Sequence, residues 1–255
     1  MPASYAHYRF GKLLLPQLPP QVRQTIQRFR RMYDLGLQGP DFFFYSVPFV
    51  SKATADFGRA LHRQSGQEFF PTACKAATSD AARAYLYGLL AHYCLDSICH
   101  PFINRLVEIE EARHIPLESE FERFLLTLDG ETSPQTFDMS KYLKVTRGEC
   151  MTIAELYPGT AGGTVFCGIH GMAFFTGFLA HPNRPWRENL LQKINPRLCD
   201  FMIPAEEDQN LAPYIRVLQH LYGQALARYP ELLSQLTAHL KTGEDFGEAF
   251  TSTFG

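Results

Sequence analysis

One helix-length segment constrains this chain more than any other. SDAARAYLYGLLAHYCLDSICHPFINRL, residues 79–106, is apolar on most sides yet carries His92, Asp96 and His100 at four-residue intervals. Residues four apart stack on one helical face, so these side chains form a slowly drifting stripe. Ser79 or Asp80 supplies an N-cap, while alanine and leucine supply helix propensity. A helix that is apolar nearly all round belongs in the middle of a bundle. A solvated polar stripe is the simplest reading of the spacing taken alone. On this helix the stripe must instead face the interior, where unpaired polar groups are expensive. Imidazole and carboxylate are ligands that zinc and its neighbours in the transition series accept. Each four-residue step advances about 40° past a full turn. His92 and Asp96 can therefore chelate one ion while His100 points towards another, with Asp96 as a natural bridge. Metal pairs about 3.5–4 Å apart are a device for phosphoryl transfer.

The flanking sequence punctuates into further helices. PPQVRQTIQRFRRMYDLG repeats apolar residues at Val22, Ile26, Phe29 and Met32, and Gly36 can close it. Gly39-Pro40 then breaks the chain and delivers Asp41 ahead of Phe42, Phe43, Phe44 and Tyr45. Core packing explains that aromatic run more simply than an acyl-chain pocket does. TADFGRALHRQSGQEFF reads as helical with ends blurred by Gly58 and Gly66, and EEARHIPLESEFERFLLTL predicts a helix starting at Pro116. Further helices are expected near 162–180, 185–200, 210–226 and 229–241. Residues 162–180 carry no formal charge and approach the ~20 residues of a bilayer span. Their five glycines, two threonines and His170 point instead to a buried helix. With no strand-like alternation of useful length, the fold class is all-α, a single multi-helix bundle over residues 1–255. It divides into a metal-site half, 1–130, and a C-terminal helical half, 131–255. The stretch around 130–140 is its longest surface loop, and a split there into two helical layers is the alternative.

Bulk properties exclude several classes. With 45% hydrophobic and 20% charged residues among 255, the chain is globular. A net charge of −2 offers no electrostatic footprint for nucleic acid, and no polybasic tract addresses anionic lipid. At most peripheral membrane contact is expected. The six cysteines are scattered without a Cys-x-x-Cys pair, and the N-terminus lacks the pattern of an export signal. Reduced, mostly buried thiols and a cytoplasmic location follow as expectations.

His114 and Glu118 repeat the four-residue spacing just downstream, and two such pairs in so short an interval are far less expected by chance than one. Glu120 competes with Glu118, because Pro116 disfavours a helical turn through Ile115; spacing favours Glu118. The ordered set is His7, Asp41, His62, His92, Asp96, His100, His114 and Glu118. That order, with HYCLDSICHP its most diagnostic piece, resembles the zinc-dependent phospholipase C family, whose wider superfamily includes nucleases. The resemblance covers the first half of the chain and implies an all-α protein with a cluster of up to three zinc ions. It implies that Asp41, His62, His92 and Asp96 enclose one zinc and that His100, His114 and Glu118 hold a second. Asp96 would also reach a third ion beside His7. The secreted enzymes complete that third site with a mature N-terminal Trp. This chain begins Met-Pro, so two Zn2+ ions are the expectation. Asp41 is the implied catalytic residue, orienting or deprotonating the water that attacks phosphorus.

His170, His181, His220 and His239 have no carboxylate partner at comparable spacing and read as structural. Other helical metal folds fit poorly. HD-type phosphohydrolases need an adjacent His-Asp pair, which is absent, and ferritin-like di-iron proteins need two Glu-x-x-His motifs, of which only Glu111–His114 occurs. The expected activity is phospholipase C-like hydrolysis of a phosphodiester, with a phospholipid or a small phosphodiester as substrate. A soluble small-molecule or nucleotide phosphodiesterase and a non-catalytic helical zinc protein are the alternatives.

Overall fold

Residues 80–108 form the axis around which the rest is arranged. The computed structural model describes residues 4–45 and 51–255. In chain order its α-helices are α1 (Ser4–Leu14), α2 (Pro20–Arg28), α3 (Arg30–Gly36), α4 (Lys52–His62), α5 (Gly66–Ala76) and α6 (Asp80–Glu108). They continue as α7 (His114–Leu128), α8 (Arg147–Glu155), α9 (Gly162–Leu179), α10 (Arg184–Ile194) and α11 (Ala212–Thr242). Short 3-10 segments join them, chief among them Gly39–Tyr45. Among the described residues there is no strand, only an isolated antiparallel bridge between Ser65 and Thr253. The all-α reading stands.

Ser79 caps α6, its hydroxyl accepting from the Ala82 amide. The helix then buries residues on every side, from Ala82 to Leu106. α3 crosses it at backbone contact. A Cβ on Gly36 would lie 2.1 Å from the Tyr85 carbonyl, and one on Gly88 would lie 2.2 Å from the Tyr33 carbonyl. Gly36 thus ends a helix as expected, but its physical role is close approach. α11 packs along α6, where the Ala225 carbonyl accepts from Cys94 and the Tyr229 hydroxyl donates to the Tyr87 carbonyl, and one apolar core runs from Tyr5 to Phe254.

Several expected boundaries move, each for a reason visible in packing. The 19–36 helix breaks at Phe29 (φ −122°, ψ 43°), giving α2 and α3. α6 runs through Pro101, and α11 runs through Pro230 as one helix where two were expected. Both prolines are exposed, so the carbonyls that lose their donors can meet water, while the buried stripes hold the register. α7 begins at His114 rather than Pro116, which sits in the first turn, where a missing N–H leaves no bond unmade. The expected 185–200 helix stops at Ile194, and Pro196–Phe201 is 3-10. α1 and α8 carried no signal singled out from the sequence.

The largest correction concerns α9, which is not a buried helix, since only 28% of it is enclosed. Val165, Gly168, Ile169, Gly171 and Met172 face the body, whereas Cys167, His170 and Phe174 lie exposed. It is held against the segment that bears Asp41: a Cβ on Gly168 would approach the Phe42 carbonyl to 2.5 Å. The described cysteines are all free, with Cys74, Cys94, Cys99 and Cys150 buried.

Gly88→Ala would push a methyl into backbone that cannot rotate away. Overpacking of this kind costs about 3 kcal/mol, or about 6–12 °C of melting temperature at this chain length. Gly223→Ala, an exposed α11 position with nothing within 4 Å of the added carbon, is expected to raise it slightly. Thermal unfolding of both variants checks the crossing; equal effects would contradict it.

Candidate metal centre

The polar residues foreseen from the sequence meet around the middle of α6. His7 comes from α1, Asp41 from the 3-10 segment, His62 from the last residue of α4, and His114 and Glu118 from the start of α7. Gly39 makes the delivery of Asp41 possible. Its φ of +51° is a left-handed conformation, and a Cβ there would lie 2.3 Å from the His92 ring.

His92, Asp96 and His100 are buried, at 0%, 3% and 3% exposure, so the stripe does not face solvent. Asp96 works with both oxygens. Its Oδ1 lies 3.2 Å from His7 Nε2, and its Oδ2 lies 3.1 Å from His92 Nε2 and 3.6 Å from His100 Nδ1. Asp41 Oδ1 is 2.9 Å from His62 Nε2. Glu118 Oε1 is 3.1 Å from His114 Nε2 and 3.4 Å from His100 Nε2. The donor atoms fall into three sets within 4.8 Å, the first two sharing His92: His7, Asp41 and His92; His62, His92 and Asp96; and His100, His114 and Glu118. The third set is the one the sequence grouped together. His7 is not set apart beside Asp96 alone, because it also joins Asp41 and His92. The N-terminal ligand position considered for a third ion falls at residues 1–3, outside the described residues. Glu120 turns away and pairs with Arg123 at 2.7 Å, which leaves Glu118 as the carboxylate of that set.

Second partners orient the rings. His62 Nδ1 donates to the Gly58 carbonyl at 2.8 Å, His92 Nδ1 to Leu37 at 3.2 Å, and His100 Nδ1 to Phe254 at 3.1 Å. A carbonyl can only accept, so Nδ1 carries a proton and Nε2 is the nitrogen turned inward, the orientation that metal-ligating histidines adopt. His92 Nε2, Asp96 Oδ2, His114 Nε2 and Glu118 Oε2 are buried without a hydrogen-bond partner. Orphaned buried acceptors of this kind are costly unless something positive joins them. Tetrahedral ligands about 2.0–2.1 Å from zinc stand about 3.3 Å from one another, close to the separations above. The residues fit zinc.

The charges agree. Burial alone would raise the Asp41 carboxyl, but the hydrogen bond with His62 and the nearby His92 hold it below the usual carboxylate range. Burial likewise opposes ionisation of Asp96, yet His100, His92 and His7 drive it well below that range. Glu118 falls to about 2 because His114 and His100 outweigh its desolvation. Burial would lower His100, but Asp96 and Glu118 lift it to about 9. All three ligand carboxyls are thus ionised at neutral pH, as ligands must be, whereas His100 holds a second proton that a metal on Nε2 would displace.

A cavity of about 590 Å³ opens against the third set. His114 and Glu118 stand at its polar end, and Phe44, Tyr45, Phe174, Phe175, Leu198 and Phe201 make its apolar walls. The aromatic run therefore divides. Phe42 and Phe43 are buried in the core as expected, whereas Phe44 and Tyr45 line the cavity.

Two contributors escaped the sequence reading. The last residues fold back over the centre: Phe254 packs on His62 and His92 with ring centroids 6.4 and 6.3 Å away, and the Gly255 amide donates to the His62 carbonyl at 3.2 Å. Glu122, buried in α7, accepts from the amides of Tyr5 and Ala6 at the start of α1 and so seats the helix that carries His7. Neither lies in a motif, and only the tertiary fold brings them in.

An all-helical body with a buried histidine–carboxylate centre beside an apolar cavity has the make-up of a helical metal-binding protein. The family model for zinc dependent phospholipase C matches residues 6–155, more than half of the chain, and this chain belongs to that family. The match spans all eight residues of the centre. No curated protein and no solved structure shows a match.

Burial, above all, raises Glu122 from 4.5 to about 8. A group raised in this way adds stability that is complete below pH 4.5 and lost as pH climbs through about 8. Glu122→Gln keeps an acceptor for both amides but cannot ionise, so its melting temperature should fall less than the parent's between pH 5 and 8. Parallel pH profiles for the two proteins would show that Glu122 does not titrate in this range.

Proposed function

We propose that this protein is a zinc-dependent phosphodiesterase of phospholipase C type, hydrolysing a phospholipid on the glycerol side of its phosphate. The observation that carries the reading is the cavity: one end is ligand histidine and carboxylate, and the remainder is aromatic and aliphatic wall. A cavity of this size and lining takes an apolar tail and leaves a polar head at the charged end. A nucleobase could stack on the aromatic rings, but a nucleotide has no acyl tail to fill the aliphatic remainder. The lack of basic excess, with a net charge of −2, also argues against a long polyanion.

Bound zinc would polarise a non-bridging phosphoryl oxygen and lower the pKa of a coordinated water. Asp41, Asp96 and Glu118 would hold it with the histidine Nε2 atoms. Asp41 is ionised and ordered by His62, so its carboxylate can orient a water and take its proton. Phe44, Tyr45 and Phe201 would hold the glyceride portion so that the phosphate stops at His114 and Glu118. Attack by water on phosphorus then breaks the bond to the glycerol oxygen, which leaves with a proton as diacylglycerol, and the headgroup departs as a phosphomonoester.

Purified protein assayed on a short-chain phosphatidylcholine and on bis(p-nitrophenyl) phosphate, with and without chelator, tests this. Turnover of both should vanish with chelator and return with zinc. Asp96→Asn should lose zinc and activity together, by at least about 10³-fold in kcat. Leu198→Asp should lower kcat/KM on the lipid by about tenfold while changing the small diester less than about twofold. Activity confined to the small diester would replace the lipid reading with a soluble phosphodiesterase. Stoichiometric zinc with no turnover would make the centre structural.

A further inference from the structure

Four large apolar side chains stand exposed side by side on α9 and α10. Phe174 is 68% exposed, Trp186 53% and Ile194 66%, with Leu190 beside them. Trp186, Leu190 and Ile194 are spaced four apart, so they make one stripe along α10. The other side of that helix, Arg187 and Leu191, is buried, which fixes the stripe outward. Aromatic contacts join the two helices: Phe174 stacks on Phe178 with centroids 6.4 Å apart, and Phe178 meets Trp186 edge-on at 5.9 Å. The patch therefore runs without interruption from Ile194 to Phe174, and Phe174 is itself a wall of the cavity.

The unpaired exposed charge along α10 and the 3-10 segment after it is positive. The two acids of residues 184–200, Glu188 and Asp200, are each paired with an arginine, Arg184 at 2.7 Å and Arg113 at 2.6 Å. The exposed Lys193 and Arg197, at the stripe's end, have no carboxylate partner among the described residues. An apolar stripe with a tryptophan, edged by unpaired cations, is the composition of a helix that lies in a bilayer interface. α9 is long and apolar enough to cross a membrane by composition, with mean hydropathy 1.3. Its inner face, however, is locked into the core through Val165, Ile169 and Met172, so it can lie on a bilayer but not cross one.

We infer that the α9–α10 face is the surface by which this protein settles on a lipid bilayer. Trp186, Leu190 and Ile194 enter the headgroup–acyl boundary, Lys193 and Arg197 meet anionic phosphates, and the mouth at Phe174 turns towards the lipid. The docking surface stands on the exposed stripe alone; its use for substrate entry rests on the function proposed above. In that use an acyl chain passes from the bilayer into an apolar cavity without crossing water.

Trp186 is the only tryptophan in the chain, so its fluorescence reports on this face alone. Titration with vesicles of phosphatidylcholine containing about 30% phosphatidylglycerol should shift its emission to the blue and co-sediment the protein, with affinity weakened by salt. Leu190→Glu with Ile194→Glu should reduce vesicle affinity at least about tenfold, leaving zinc content and turnover of bis(p-nitrophenyl) phosphate unchanged. Lys193→Glu with Arg197→Glu should remove the preference for anionic vesicles. An emission that vesicles do not move, or binding untouched by the Leu190/Ile194 pair, would overturn the inference. So would a dimer in sedimentation that Ile194→Glu dissolves, since the face would then belong to a second copy. Vesicle binding without lipid hydrolysis would uphold the docking surface and defeat the proposed substrate. Hydrolysis of monomeric lipid without vesicle binding would do the reverse.

Discussion

A carboxylate buried among imidazoles is the constraint on which this structure depends. Asp96 sits at 3% exposure with His7, His92 and His100 around it. A lone charge at that depth would be prohibitive, so its neighbours must be basic and their rings must be held. Backbone carbonyls of Leu37, in the turn after α3, and Phe254, at the end of the chain, hold His92 and His100, and Gly58 in α4 does the same for His62 beside Asp41. The fold is arranged so that remote backbone orients local side chains. The tight α3–α6 crossing, which glycine alone permits, brings the Leu37 carbonyl within reach of His92. Orphaned inward-facing atoms on His92, Asp96, His114 and Glu118 are then the expected signature of a site shaped for a cation.

How much of this could be read from residues alone follows from which interactions are local. Four-residue spacing on an apolar helix is local, and it located His92, Asp96 and His100 and required them to be inside. The order of His7, Asp41 and His62 was legible through family likeness, since no short-range physics links residues so far apart in the chain. Helix ends were the least legible. Pro101 and Pro230 look like stops in a one-dimensional reading. In three dimensions each stands on the exposed side of a helix whose other side is anchored, where water can replace the lost hydrogen bond. Phe29 interrupts a regular pattern for which the sequence offers no breaker.

α9 shows a different limit. Its low charge suggested burial, but apolar composition cannot say which face finds a protein partner. Here the glycine-lined side closes on the Asp41 segment, and the phenylalanine side stays open. Phe254 and Glu122 were invisible for a third reason. They act on the centre through carbonyl, amide and ring contacts that any residue pattern could supply. Centre, cavity and exposed face nevertheless form one continuous line: Glu118 and His114 at the head, Phe44, Tyr45 and Phe201 along the wall, Phe174 at the mouth, and the α10 stripe beyond.

Zinc K-edge X-ray absorption of the reconstituted protein tests the central claim most directly, because it reads the atoms around the metal. The expected spectrum shows nitrogen and oxygen neighbours at about 2.0–2.1 Å with imidazole scattering and no sulfur. A sulfur shell at about 2.3 Å would place the metal on cysteines instead. A spectrum of hydrated zinc without imidazole scattering would mean that these histidines and carboxylates cage no ion at all.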